Sequence, residues 1–373
     1  MIKTLLKIVK RMTIGIFGIV LLIVLIAAIF VNTSPQFGGN PNEESLAKME
    51  LSPNYKNKTF QNLEHTLQNT GFKLSTIPKF FMKGENLTPE VKLPQIKLAK
   101  SYFDNELQQP RITWFGHSTL FVEMEGMNIF IDPMLGEVPA PHPLLGNARF
   151  NKELPISIEN LPEIDLVLIS HDHYDHLDYS SIQQLHSKVK QFYVPLGIKA
   201  HLTDWGVDAS KIIEFDWWDS KILNGIEFVS APARHFSGRG FTRNNTLWCS
   251  WVIKSENNAI FFSGDSGYGK HFKEIGDKYG PFDFAMMECG QYNEQWAQIH
   301  MTPEETIQAS IDVQTKLMMP IHWGGFKLAL HTWNDPIVRA NKKAKKLNVN
   351  IAIPKIGEAV ILNEKNYPNS KWW

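Results

Sequence analysis

Nine consecutive residues, Ser170-His171-Asp172-His173-Tyr174-Asp175-His176-Leu177-Asp178, gather side chains that bind metals and move protons, directly behind the apolar run Leu166-Val167-Leu168-Ile169. Imidazoles and carboxylates at this density are the donors preferred by zinc and related divalent ions. A strand leaving the core at Ile169 sends alternate side chains to one side, so His171 and His173 share a face while Asp175 and His176 curl back on the turn that opens the next helix. One short segment can then serve two adjacent metals. A solvated loop with a helix N-cap would account for Asp172 or Asp178, but not for three histidines within six residues.

Further donors recur in the same setting. His235 follows the run 226–232, Asp265 the run 259–264 and His322 the run 317–321, each just past a strand-like stretch. Loops at one end of the strands in layered α/β proteins collect ligands and chemistry, so four strand ends converge on one site. Taken singly, His235 or His322 reads as a satisfied buried or loop histidine, and Asp265 beside Gly264 and Gly267 as a turn former.

This order, His171-x-His173-x-Asp175-His176, then His235, Asp265 and His322, resembles the ligand set of the metallo-β-lactamase-fold hydrolases. Within that superfamily the flanking words resemble the N-acylphosphatidylethanolamine-hydrolysing phospholipase D family and its bacterial, membrane-anchored relatives. They are Thr113-Trp114-Phe115-Gly116-His117-Ser118-Thr119, Asp132-Pro133, Asn245-Thr246-Leu247-Trp248, Gly264-Asp265-Ser266-Gly267-Tyr268, Gly280-Pro281-Phe282-Asp283, His300-Met301-Thr302-Pro303-Glu304-Glu305 and Ile321-His322-Trp323-Gly324. They run in family order from about Arg111 onward.

The resemblance implies a four-layer α-β-β-α sandwich with two divalent metals at one edge, zinc by preference, with Mn²⁺ or Fe²⁺ as alternatives. His171, His173 and His235 would hold the first metal, Asp175, His176 and His322 the second, and Asp265 would bridge them. A hydroxide shared by the metals would attack a phosphodiester phosphorus, and no serine or cysteine nucleophile is required. Asp175 would orient that hydroxide. His300 matches an additional active-site histidine, placed to contact the phosphate or protonate the leaving group; it also precedes a helix that Thr302 caps and Pro303 opens. His117 and Asp132 would fix ligand tautomers. Tyr174, Trp217, Trp218, Phe236 and Phe241 are candidates for an acyl-chain groove, although large aromatics more often fill a core.

The elements that must position these groups begin with an anchor. Residues 12–31 are uncharged and apolar, long enough for one helical crossing of a hydrocarbon core ~30 Å thick. Lys3, Lys7, Lys10 and Arg11 precede the span and the first charges after it are Glu43 and Glu44. That asymmetry keeps residues 1–11 in the cytoplasm and places the remainder on the outer side, periplasmic or extracellular, of a single-pass protein. A cleaved signal peptide is the rival, but its apolar core is usually ~7–15 residues with an Ala-x-Ala-like end, and no clean site lies between Ala28 and Gln36. Residues 32–110 turn polar, reading as a stalk or an extension that wraps the catalytic domain, with a brief helix from Glu43 to Met49 and an apolar patch at Phe80-Phe81-Met82 that docks on the domain or meets lipid.

Residues 111–373 suit a single α/β domain. Strand-like runs at 111–115, 119–123, 128–131, 166–169, 192–194, 248–253, 259–262 and 284–287 alternate with helical patterns near 180–186, 198–205, 270–279, 303–313 and 336–347. Lys+Arg and Asp+Glu balance at 38 each, which argues against a nucleic-acid footprint. Cys249 reads as a small buried hydrophobe, and its pairing with Cys289 stays open. The expected partners are therefore a bilayer, a phospholipid or small phosphodiester substrate and, by the resemblance, a second copy in a homodimer. The alternatives are a lactonase or cyclic-phosphodiester hydrolase of the same superfamily, or a membrane-tethered metal-binding module. The last is disfavoured because a closed structural site needs only four ligands.

Overall fold

The computed structural model describes residues 2–69, 84–104, 107–364 and 366–373; the Phe80-Phe81-Met82 patch lies outside them. Helix α1 (Ile2–Thr33) projects with none of its side chains buried. It is followed by α2 (Glu43–Leu51), which Asn42 caps by accepting from the Ser45 N–H, and a small hairpin of β1 (Tyr55–Lys56) and β2 (Thr59–Phe60). The sandwich then runs through β3 (Arg111–Trp114), β4 (Leu120–Met124), β5 (Met127–Ile131), β6 (Ile164–Leu168), α3 (Tyr179–Leu185), β7 (Val189–Pro195), α4 (Ile198–Asp204) and β8 (Ile212–Phe215). Its second half comprises β9 (Ser220–Leu223), β10 (Ile226–Ala231), β11 (Ser250–Lys254), β12 (Ala259–Phe262), α5 (His271–Tyr279), β13 (Phe284–Glu288), α6 (Pro303–Asp312), β14 (Met318–Ile321), α7 (Asp335–Leu347) and β15 (Ala359–Ile361).

Among the described residues these strands form a seven-stranded sheet, β15-β3-β4-β5-β6-β7-β8, and a six-stranded sheet, β14-β13-β12-β11-β10-β9. The side chains show why the sheets stack. On β4 to β6, Leu120, Val122, Ile129, Ile131, Leu166 and Leu168 point into the core shared with the second sheet, while Phe121, Phe130 and Val167 point the other way, against α3 and α4 through Ile182, Leu185, Ile198 and Leu202. A strand covered on both faces needs apolar residues at every position, which is why these segments read as continuous runs. Helices α5 to α7 cover the second sheet with Phe272, Ile307, Ile337, Ala340 and Ala344. The result is the four-layer αββα sandwich.

Strands β5 to β8 are mutually parallel, as are β12 to β14, and β10 runs with β12 through two antiparallel pairings. The chain therefore leaves β5, β6, β10, β12, β13 and β14 at one edge. Helix α6 starts on a full capping box between Thr302 and Glu305, with Pro303 in its first turn, as the sequence suggests. Strands β8, β9 and β15 and the hairpin escape the sequence reading because they are short and lie at or near sheet edges, and β9 is largely solvent-exposed.

The described part of the 32–110 segment packs tightly on the domain. Met49, Phe60 and Leu93 join the central core, and the Phe60 N–H donates to the Asn244 carbonyl at 2.8 Å. Asn62 brackets a site residue: its amide donates to the His235 carbonyl at 2.7 Å and accepts from the His235 N–H at 3.0 Å and the Trp248 indole at 3.2 Å. Asn62→Ala strands these partners and is expected to lower stability by about 1–2 kcal/mol, read as a lower urea midpoint of the detergent-solubilised chain; an unchanged midpoint would show that the extension is not stapled there.

Candidate metal centre

All seven donors meet at this edge. His171 Nε2 lies 2.9 Å from His173 Nδ1, which lies 3.1 Å from His235 Nε2. Asp265 stands between this trio and a second group: its Oδ2 is 3.9 Å from His171 Nε2 and from His235 Nε2, and its Oδ1 is 3.1 Å from His176 Nε2 and from His322 Nδ1. Asp175 Oδ2 closes the second group, 3.5 Å from His176 Nε2 and 3.9 Å from His322 Nε2.

The outward nitrogens of three histidines are committed elsewhere, which aims the inward ones. His176 Nδ1 donates to Asp132 Oδ2 at 2.7 Å, and Asp132 is fixed by the Ser170 N–H at 2.7 Å and hydroxyl at 2.5 Å. Because that hydroxyl donates to Asp132, its oxygen accepts from His171 Nδ1 at 2.9 Å. His235 Nδ1 donates to the Ile299 carbonyl at 2.9 Å. His117 Nε2 lies 2.9 Å from Asp175 Oδ2. Hydrogen bonds of this kind set the tautomer and orientation of a metal ligand, the role the sequence suggests for Asp132 and His117.

The backbone pays locally for this convergence: His117, Asp132 and His322 have φ of 54°, 41° and 66°, in the left-handed region disfavoured by side chains other than glycine's. At Gly264, where φ is 57°, a Cβ would sit 2.6 Å from the Cys249 carbonyl, so only glycine brings Asp265 so close to β11.

The electrostatics fit divalent cations. Burial holds the His171, His235 and His322 imidazoles well below their ordinary value and His173 down to about 4, leaving neutral rings with lone pairs. Burial by itself would lower His176 too, but Asp265, Asp175 and Asp132 outweigh it and raise it well above the usual range. Burial pushes Asp265 up to about 6. His176 Nε2 and Asp265 Oδ1 are buried with no hydrogen-bond partner, and buried polar atoms in that condition cost about 1–3 kcal/mol each. Cations among these groups would satisfy the orphaned atoms and the facing lone pairs together.

A cavity of about 300 Å³ opens on the donors, lined by His173, Asp175, Asp265, His300 and His322 on its polar side and by Phe236, Trp296, Ile299 and Leu328 on its apolar side. Arg243, whose guanidinium lies 4.9 Å over the Phe236 ring, and Gln68 of the N-terminal extension also line it. His300 stacks on His322 with ring centroids 5.3 Å apart.

The other aromatic candidates are corrected. Trp217 is buried with its indole donating to the Trp248 carbonyl at 2.6 Å, and Trp218 stacks on Tyr279 beneath the Lys278 ammonium, so neither lines the cavity. Tyr174 turns from the cavity to donate its hydroxyl to the Arg239 carbonyl, and Phe241 is exposed. Sequence reasoning passed over Asn62, Ser170, Arg243 and Glu288. Of these only Glu288, an acid at the end of the buried apolar strand β13, left a visible signal.

Known proteins share this sequence pattern and fold. The family described as a beta-lactamase superfamily domain matches residues 127–323. An uncharacterised protein of Mycobacterium tuberculosis is 37% identical over 322 residues, covering 84% of this chain and 86% of that protein. N-acyl-phosphatidylethanolamine-hydrolyzing phospholipase D 1 of Caenorhabditis elegans is 34% identical over 230 residues, covering 58% of this chain and 64% of that enzyme. The solved structure of Igni18, a metallo hydrolase from Ignicoccus hospitalis, shares the fold at 22% identity with a TM-score of 0.52, over 69% of this chain and 100% of its own.

Asp132→Asn keeps the shape of the side chain but weakens its hold on His176, so metal affinity is expected to fall about 10- to 100-fold. Competition with a chromophoric chelator measures this; unchanged affinity would remove Asp132 from the support of the site.

Proposed function

Because the chain belongs to the beta-lactamase superfamily of metal-dependent hydrolases, we propose that it is a phosphodiesterase of the phospholipase D type, acting on N-acylphosphatidylethanolamine-like membrane lipids. The observation that carries this reading is the cavity, where donors able to hold cations against a phosphate adjoin the apolar side chains of Phe236, Trp296, Ile299 and Leu328 and the cation of Arg243. The likeness to the C. elegans phospholipase supports the same substrate class.

In this reading His171, His173 and His235 would hold one ion, Asp175, His176 and His322 the other, and Asp265, which lies between the two groups, would serve both. Zinc is the first expectation for both, with manganese or iron as alternatives. Such ions would supply activation of water near neutral pH and neutralisation of charge on the reacting oxygens. Asp175, held by His117, accepts a hydrogen bond from the attacking water and so aligns it. His300 faces the substrate from beside His322. Phe236, Ile299 and Leu328 exclude water from the acyl side, and Arg243 neutralises the headgroup. The cysteines take no part: burial pushes the Cys249 and Cys289 thiols well above their ordinary value.

The course of the chain after α1 favours a lipid substrate. Immediately beyond the helix, the Pro35 carbonyl accepts from the Trp205 indole at 2.7 Å, the Gln36 carbonyl accepts from Arg239 Nε at 2.8 Å, and Phe37 packs edge-on against Tyr174. With α1 as a single-pass anchor, its basic end cytoplasmic, the domain stands on the outer side with the ligand segment close to the bilayer surface.

Hydrolysis of N-acylphosphatidylethanolamine in detergent micelles, with and without chelator and beside Asp265→Ala, tests the reading. The expected outcome is chelator-sensitive release of phosphatidic acid by the wild type and its loss, with loss of bound metal, in the variant. Full metal content with no lipid cleavage, but turnover of lactones or small cyclic diesters, would overturn the phospholipase reading in favour of the lactonase one.

A further inference from the structure

Glu288 is a buried acid at this edge that the donor set does not use. It ends β13 with no exposed surface, and its two oxygens have different partners: Oε2 accepts the Met301 N–H at 2.9 Å, and Oε1 lies 3.2 Å from His300 Nδ1. Its backbone is held as well, the N–H donating to the Ser263 hydroxyl at 2.9 Å and the carbonyl accepting from the Thr306 hydroxyl at 2.8 Å. His300 is therefore gripped from behind while its ring lies against His322 and His235, with centroids 5.3 and 5.0 Å away, on the wall of the cavity. With Nδ1 engaged by Glu288, the opposite nitrogen, Nε2, is the one left for a substrate.

We propose that Glu288 is the positioning residue for His300, and that the two side chains act as a carboxyl–imidazole pair delivering the proton that departs with the leaving alkoxide. This deepens the phosphodiesterase reading and rests on it. The attacking water forms the new oxygen–phosphorus bond and releases one proton to solvent. As the bond from phosphorus to the leaving oxygen breaks, the Nε2 proton passes to that oxygen. The hydrogen shared between Glu288 Oε1 and His300 Nδ1 settles on Nδ1, so the ring stays neutral and the charge ends on the carboxylate, where the Met301 N–H meets it. Solvent then reprotonates the pair. An acid behind an imidazole sets which nitrogen works and compensates the charge that develops, the logic of the acid in a Ser-His-Asp triad.

The test compares wild type, Glu288→Gln, Glu288→Asp, His300→Ala and the double variant Glu288→Gln/His300→Ala as metal-loaded full-length proteins in detergent. Two substrates are used: a dialkyl phosphodiester lipid, whose alkoxide needs a proton to leave, and bis(p-nitrophenyl) phosphate, whose phenolate does not. Glu288→Gln is expected to lower kcat on the lipid about 10²-fold or more, with KM within about twofold, metal content unchanged and less than about tenfold loss on the aryl diester. Glu288→Asp recovers part of the lipid activity, and adding Glu288→Gln to His300→Ala costs nothing further because the two act as a unit. Equal losses on both substrates, loss of bound metal, or additive effects in the double variant would overturn the pair and leave Glu288 as part of the framework. A wild type that cleaves neither diester would overturn the substrate reading separately. Ring-nitrogen NMR then judges the hydrogen bond on which the pair depends: the His300 Nδ1 signal, assigned by its disappearance in His300→Ala, moves in Glu288→Ala if that bond exists, and an unmoved signal overturns it.

Discussion

The constraint on which the rest of the structure depends is the burial of mutually crowding donors at one edge of the sandwich. His171 and His235 each bring a ring nitrogen to about hydrogen-bond distance of His173 Nδ1, and Asp265 faces both this trio and the His176–His322 side. Away from water, neutral imidazoles with facing lone pairs and a carboxylate oxygen without a partner, as at Asp265, are unfavourable unless cations lie among them. The surrounding structure supplies the rigidity that prevents the cluster from relaxing apart. Parallel strands deliver the donors from a sheet buried on both faces, Asp132, Ser170 and the Ile299 carbonyl fix the ring orientations, and left-handed backbone at His117, Asp132 and His322 is held by the packing around it.

Much of this was legible in the sequence because it follows from local pattern. The runs before His171, Asp265 and His322 are largely apolar because β6, β12 and β14 lie in the interior, and a donor just past such a run emerges where the strands end. Thr302-Pro303-Glu304-Glu305 reads directly as a helix start because capping is a local interaction. Long-range partners were not legible. Asn62 reaches His235 across 173 residues, and Gln68 contributes to the cavity from a segment whose polar composition suits a stalk equally well. Trp217 and Trp218 show the converse error: nearness in sequence to strand ends does not place a side chain in the cavity when packing turns it towards Trp248 or Tyr279.

The N-terminal region and the catalytic edge are coupled more closely than their compositions suggest. The same extension that adds Met49 and Phe60 to the core supports His235 through Asn62, and the turn just after α1 rests beside Tyr174, within the metal-binding segment. Under the proposed reading as a membrane-anchored lipid hydrolase, this arrangement would fix the distance between the bilayer and the reacting phosphate. Glu288 extends the same economy inward: one buried carboxyl at the end of β13 orients His300 and receives the Met301 N–H just ahead of α6.

The most direct test of the central claim is anomalous X-ray scattering, at the absorption edge of the metal found in the protein as purified, from crystals of the full chain. Two peaks ~4 Å apart, one among His171, His173 and His235 and one among Asp175, His176 and His322, with Asp265 touching both, is the predicted result. A single peak, or metal bound away from these seven side chains, would contradict the account.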